Sequence, residues 1–219
     1  MGSRRGIFVT LEGGEGSGKT TQSRRILAHL ESLGREVVQT REPGGTEAGE
    51  MIRDVLLHRV TSLSPRAELT LYLASRSQLV DELVRSNLDR GVDVICDRFA
   101  DSSTAYQGGG RELGIGFVEE LNDWATNGLT PDLTFFFDVS AETGLARREG
   151  RVGAEDLDRI EREDLAFHER VRDAYREIAE RHPHRVRVIS TEGGEEAVWD
   201  RVRRELDRCL ERVENEAHS

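Results

Sequence analysis

Lysine is almost missing from this chain: of 31 basic residues, all but Lys19 are arginine. Cysteine is nearly as scarce. Cys96 and Cys209 stand far apart, with neither the spacing of a metal site nor the density of a disulfide-stapled secreted domain, so free thiols in a reducing compartment are expected. The six histidines are scattered and form no ligand pattern, and no zinc site is expected. Four prolines leave little material for a stiff linker, and 219 residues suffice for one buried core, so a single domain over 1–219 is expected. No apolar run approaches the roughly 20 residues that a membrane-spanning helix needs. The first residues, MGSRRGIFVTLEGG, lack the apolar stretch and cleavage site of a secretory signal, which points to the cytoplasm. Positive charge is in deficit: a net charge of -11 argues against a nucleic-acid partner, because such binding rests on clustered basic side chains. A small phosphorylated ligand stays compatible, since surface charge is screened beyond about 8 Å at physiological salt and a locally positive site can hold it.

The one lysine sits in GGEGSGKT, residues 13–20, where Gly13, Gly18, Lys19 and Thr20 match G-x-x-x-x-G-K-[ST]. IFVTLE before it reads as a buried parallel strand at 7–12, and TQSRRILAHLESLG after it keeps helical spacing through Ile26, Leu27, Leu30 and Leu33 until Gly34. Strand, glycine loop and helix are what a phosphate cradle requires. The loop glycines let backbone N–H groups and the helix N-terminus face the phosphates, which makes Gly13, Gly14, Glu15, Gly16, Ser17, Gly18, Lys19 and Thr20 the candidate ATP site. Lys19 suits the β- and γ-phosphates as a compact point charge, and Thr20 has a hydroxyl for Mg²⁺.

Further strands are expected at 36–40, 92–97, 132–138 and 185–190, separated by helical stretches, the last of them a charged amphipathic helix from about Leu206. The fold class that follows is α/β, a five-stranded parallel sheet with helices on both faces and ligands at the carboxyl ends of the strands. Asp97 and Arg98 close the third strand. An acidic residue there suits Mg²⁺ and the arginine suits phosphates, although a structural ion pair fits the same residues. REPGGT, residues 41–46, ends the second strand in a stiff turn that holds Arg41 beside Pro43, and alone it is compatible with a simple turn. Residues 65–90 read as one helix on which Tyr72 and Arg76 share a face at the edge of the apolar stripe. A ring and a guanidinium facing a cavity suit a nucleobase; a snorkelling arginine beside a core tyrosine is the alternative. DSSTAYQGGG, with Ser102, Tyr106 and Gln107, makes a poor core segment and a plausible binding loop. In LARREGRVGAEDLDRIE, residues 145–161, Asp158 and Glu161 form a capping-box pattern for the helix that follows, with Ile160, Phe167, Val171 and Ile178 as its core side. Arg147, Arg148, Arg151 and Arg159 are left over, either as a solvated turn or as a lid whose charge serves a phosphoryl transition state.

LEGGEGSGKTTQ, TREPGGT, LYLASRSQ, DRF followed by AYQGGG, PDLTFFFDV and DRIE, in this order along nearly the whole chain, resemble the thymidylate kinase family of the bacterial type. The resemblance implies a P-loop nucleoside monophosphate kinase fold, an enzyme that phosphorylates dTMP to dTDP with ATP and Mg²⁺, and a homodimer. It matches Glu15 to a contact with the deoxyribose 3′-hydroxyl, Arg41 and Arg98 to the dTMP phosphate, and Tyr72 to stacking on thymine. Arg76, with Gln107 near it, matches the base-binding polar groups, and Tyr106 a ring that disfavours a 2′-hydroxyl. Gly16 stands where one branch of the family has a P-loop arginine, so the lid at about 147–159 is implied to supply the catalytic arginine, from Arg147, Arg148 and Arg151. Lys19, Arg98, Arg147 and Arg151 are the expected catalytic set, with Thr20 and Asp97 for the metal. Another nucleotide kinase, a hydrolysing switch and a binding domain without catalysis remain as rivals. No N-K-x-D guanine motif supports the switch, and Lys19, Thr20 and Asp97 speak against loss of catalysis.

Overall fold

Runs of β-branched and aromatic residues become β1 (Phe8–Glu12), β2 (Val37–Arg41), β3 (Asp93–Asp97), β4 (Leu133–Asp138) and β5 (Val186–Ser190). The protein is seen here as a computed structural model that describes residues 5–152 and 158–216; the side chains of Arg151, Val152 and Glu216 lie outside the description. All five strands are parallel in the order β2-β3-β1-β4-β5, and each begins and ends within one residue of its expected bounds. Leu11 and Arg41 both pair with Asp97, so β1, β2 and β3 finish level, at the carboxyl edge where α/β sheets bind ligands.

Side chains alternate across the sheet. Ile7, Val9, Leu11, Phe135 and Phe137 pack on one face against Ile26 and Leu30 of α1 (Lys19–Ser32) and, from the far end of the chain, Val198, Val202 and Leu206 of α9 (Gly194–Glu216). That last helix begins well before Leu206. Thr46 caps α2 (Glu47–Asp54) by accepting from Gly49 N at 3.0 Å, and Ser64 caps α3 (Pro65–Leu79), which runs through a wider π-type turn at Val80–Val84 into α4 (Arg85–Asp89). The single helix expected over 65–90 is therefore present. Phe8, Val94, Cys96 and Phe99 cover the other face together with Leu79, Val80 and Val84.

Residues 101–110, expected as part of a binding loop, are helical: α5 (Ala100–Ser103) continues through a π-type stretch at Thr104–Gly110. Packing overrides the low helix propensity of the glycines here. A Cβ on Gly110 would lie 2.6 Å from the Phe167 ring, so only glycine lets this segment press on α8 (Leu165–Arg181). The remaining helices are α6 (Ile115–Thr126) and α7 (Ala141–Val152). The Asp158 and Glu161 exchange is present, with Asp158 N donating to Glu161 Oε2 at 3.0 Å and Glu161 N to Asp158 Oδ1 at 2.9 Å. It closes a turn, however, and the helix proper starts at Leu165, capped by Asp164, which accepts from Phe167 N at 2.7 Å. Ile160, Phe167, Val171 and Ile178 share one core cluster as expected. Among the described residues no helix is long and apolar enough to cross a membrane.

Candidate active site

A cleft of about 340 Å³ opens at the carboxyl ends of β1, β2 and β3, lined at one end by residues 15–21 and at the other by Tyr72, Arg76, Tyr106 and Gln107. Lys19, Arg41, Arg53, Arg76, Arg98 and Arg148 all line it, which is where an acidic protein has concentrated its cations. Such a volume, with apolar rings and a few placed polar groups, suits a small phosphorylated ligand.

The glycine loop leads into α1 as expected, with no side-chain cap, so the first N–H groups of the helix stay available. Lys19 is buried; its Nζ donates to Gly13 O at 3.0 Å, Gly14 O at 2.9 Å and Ser17 Oγ at 3.4 Å, all neutral partners. Burial, and the nearby charge of Arg98, pull its pKa down, against the pull of Glu15 and Asp97. Glu15 is held well below the usual carboxylate range, to about 2: burial opposes ionisation, but Arg98, Lys19 and Arg148 surround it with positive charge.

Arg98 follows β3 in a left-handed conformation, φ 70°, uncommon for a side chain of its size. It is paired with Glu15, donates from Nη1 to Gly13 O at 3.0 Å, and lies over the Tyr106 ring at 5.1 Å. Glu12, the last residue of β1, holds that turn from beneath. Its carboxylate accepts from Phe99 N at 2.8 Å, from Ser102 Oγ at 2.6 Å and from the Tyr175 hydroxyl at 2.9 Å. Burial, reinforced by the charge of Asp101, pushes Glu12 up to about 7. The rule that singled out Asp97, a carboxylate closing a buried strand, applies equally to Glu12 and would have found it.

Arg41 reaches the cleft in a two-oxygen pairing with Glu50, at 3.0 and 2.9 Å, and Arg53, which carried no signal in the sequence, joins it by donating to Pro43 O at 2.9 Å. Arg76 is 1% exposed and does not snorkel. Its Nε donates to Glu42 Oε2 at 2.8 Å, Nη1 to Asn122 Oδ1 at 2.6 Å and Nη2 to Phe99 O at 3.0 Å, a network that fixes it at the cleft wall. Tyr72 stands on the same helix one turn away, and burial raises its phenol pKa.

Asp97 Oδ1 is buried without a hydrogen-bond partner, and Thr20, whose side chain is exposed, lines the same cleft. An orphaned carboxylate oxygen and a P-loop hydroxyl lining one cleft fit a hard divalent cation held mainly by substrate phosphates. Of the arginines expected in a lid, Arg148 lines the cleft and donates from Nε to Glu161 Oε1 at 2.6 Å; Arg147 is exposed and outside the lining, and the Arg151 side chain, with residues 153–157, lies outside the described residues. Gly13 and Gly14 form the loop floor rather than the lining. Helix α7 is seated directly on the phosphate loop: a Cβ on Gly16, which has φ +62°, would meet Gly144 O at 2.3 Å.

The sequence model of the thymidylate kinase family matches residues 11–202. A thymidylate kinase of Exiguobacterium sp. is 46% identical over 213 residues, covering 95% of this chain and 96% of that protein. One of Gloeobacter violaceus is 45% identical over 204 residues, with 93% and 96% covered. The crystal structure of thymidylate kinase from Ehrlichia chaffeensis superposes with a TM-score of 0.74 at 34% identity, covering 92% of this chain and 99% of that one.

Proposed function

The chain belongs to the thymidylate kinase family, an enzyme family, and on that footing we propose that it transfers the γ-phosphoryl group of ATP to dTMP, with Mg²⁺, by direct in-line displacement in dTTP synthesis. The observation that carries this reading is the bond between the two halves of the cleft: Arg98, from the acceptor side, is tied to Gly13 O and Glu15 of the loop that would hold ATP. Such a tie would bring acceptor and donor phosphates to one point, which is what phosphoryl transfer needs most. A dTMP phosphate oxygen bonds to the γ-phosphorus as the bond from that phosphorus to the β-phosphate oxygen breaks, and ADP leaves. Lys19 and the loop N–H groups carry the donor phosphates, and Arg98 with Arg41 holds the acceptor phosphate. Thr20 and Asp97 are the residues that would hold Mg²⁺, which when bound neutralises phosphate charge. Glu15 accepts from the 3′-hydroxyl, Tyr72 stacks on thymine, and Arg76 and Gln107 face the polar edge of the base. Ser102 steadies Arg98, to which it is joined at 3.4 Å, and Tyr106 closes the space beside the sugar. Charge at the transferring group comes from the lid arginines, Arg147 and Arg151 together with Arg148.

We also read the protein as a cytoplasmic homodimer with one domain per chain. Phe117 and Trp124, seven residues apart on α6, are 53% and 77% exposed, and Met51 on α2 is 68% exposed. Between them α3, which touches both helices, presents Ala67 and Ala74. An apolar face of this kind suits a second copy of the chain.

The test of the activity is ADP release with ATP, Mg²⁺ and a panel of dTMP, dUMP, dCMP, AMP and thymidine. Turnover with dTMP that vanishes in Lys19→Ala is expected. Preference for another monophosphate would remove the base-site assignments, and turnover without any acceptor would favour the switch.

A further inference from the structure

We propose that Glu68, behind the cleft wall, is a positioning residue that locks the Gln107 side-chain amide with its oxygen toward the nucleobase, and thereby selects pyrimidines that carry a proton on N3. The proposal rests on the reading above that Tyr72, Arg76 and Gln107 face the base.

Glu68 lies in the first turn of α3 and is fully buried. Its Oε1 accepts from Gln107 Nε2 at 2.9 Å and from Arg111 Nε at 3.2 Å; its Oε2 accepts from Arg111 Nη2 at 3.2 Å and lies 2.6 Å from Arg159 Nη1. Burial disfavours the charge, yet hydrogen bonds from Arg111 and Gln107 and the positive charges of Arg111 and Arg159 hold its pKa below the usual value, so it is ionised. An ionised carboxylate can only accept. Only the NH₂ end of Gln107 can therefore face it, because the flipped amide would set two acceptor oxygens against each other in a buried place.

The other end of the amide follows by geometry. Gln107 is 1% exposed and lines the cleft, and its Oε1 is buried with no partner. Arg76, across the same wall, offers donors only. A fixed donor beside a fixed, unpaired acceptor complements a carbonyl next to a ring N–H, as thymine and uracil present at C4 and N3. Cytosine presents the reverse pattern, an amino group at C4 and a lone pair at N3, and would oppose both. Glu68 touches no substrate in this arrangement; it acts by denying Gln107 its second orientation.

Glu68→Gln keeps the volume but can donate or accept, and so frees the amide to turn. The ratio of kcat/KM for dTMP over dCMP is expected to fall by about 10- to 100-fold relative to the unmodified protein. Arg111→Gln removes a cation from the same carboxylate while leaving the Glu68–Gln107 bond, and should keep that ratio within about twofold even though the protein is less stable. An unchanged ratio in Glu68→Gln, or an equal collapse in Arg111→Gln, overturns the proposal. Should the unmodified protein turn over no dTMP, the activity itself has failed and not the role of Glu68. If Glu68→Gln does not fold, hydrogen exchange in the unmodified protein decides. The Gln107 amide protons should exchange at least roughly tenfold more slowly than those of exposed Gln78, and equal rates would refute the lock.

Discussion

Gly144→Ala should impair catalysis without unfolding the protein, and the size of the effect can be worked from one contact. Gly144 lies in α7, at an ordinary helical φ, and a Cβ there would stand 2.4 Å from the main-chain oxygen of Glu15. Ordinary contact begins near 3.4 Å, and neither partner is a flexible side-chain end, so loop and helix must part by about 1 Å. The overpacking costs about 1–3 kcal/mol, offset by about 1 kcal/mol of gained helix propensity, so the melting temperature should move by only a few degrees, roughly. Arg147 and Arg148, about one turn further along the same helix, move with it. A displacement of about 1 Å in a phosphoryl-transfer site costs up to about 100-fold, so kcat should fall by roughly 30- to 100-fold, and because the displaced loop carries Glu15, which is paired with Arg98, KM for dTMP should rise as well. Gly150→Ala is the control: in the same helix, its Cβ would meet nothing within 4 Å. Steady-state ADP release for the two variants decides. A Gly144→Ala enzyme within about threefold of the unmodified kcat, or an equally impaired Gly150→Ala, would refute the claim that loop and lid are gauged by this contact.

Two further outcomes follow from buried charge and exposed apolar surface. Burial raises Glu12 from 4.5 to about 7, so its stabilising contribution is complete below about pH 4.5 and is lost as pH rises through about 7, a loss of about 3 kcal/mol. Glu12→Gln should escape it: relative to the unmodified protein its unfolding free energy, from urea titrations at pH 5 and pH 8, should improve by about 3 kcal/mol at the higher pH, and parallel pH curves would sink the assignment. If the protein is the homodimer proposed above, Trp124→Glu should leave a 24.6 kDa monomer in light scattering, whereas an unmodified protein already at that mass would remove the dimer.

What could be seen in the sequence divides along a physical line. Strands showed because β1, β3 and β4, in the middle of the sheet, are apolar runs buried along nearly their whole length, and the edge strands β2 and β5 are short runs rich in valine, so the signal lies within each run. Lys19 stood out because the phosphate loop is built from consecutive residues. Residues 101–110 were misread as a loop because the reason glycine is needed at Gly110 is the Phe167 ring, far along the chain. Glu68 was invisible for a related reason: nothing local distinguishes a carboxylate with two arginines and an amide around it from one in solvent.

Arg76 lies between these cases. Its place at the edge of an apolar stripe implied that it needed a partner, and that partner, Glu42, belongs to the REPGGT turn that also carries Arg41. Taken separately, the turn and the helix each had an ordinary explanation. Joined by a buried ion pair they become one wall, which Ser75 reinforces by accepting from Gly44 N at 3.2 Å. Removing Glu42 would leave the Arg76 guanidinium buried without its counter-charge, at about 3–5 kcal/mol, whereas removing Arg76 would leave Glu42, which burial pushes up to about 7, free to take up a proton. The turn that carries Arg41, proposed to meet a phosphate, and the helix that carries Tyr72, proposed to stack on a base, are therefore held at a fixed separation, so on that reading one rigid unit would measure the distance between the two ends of a nucleotide.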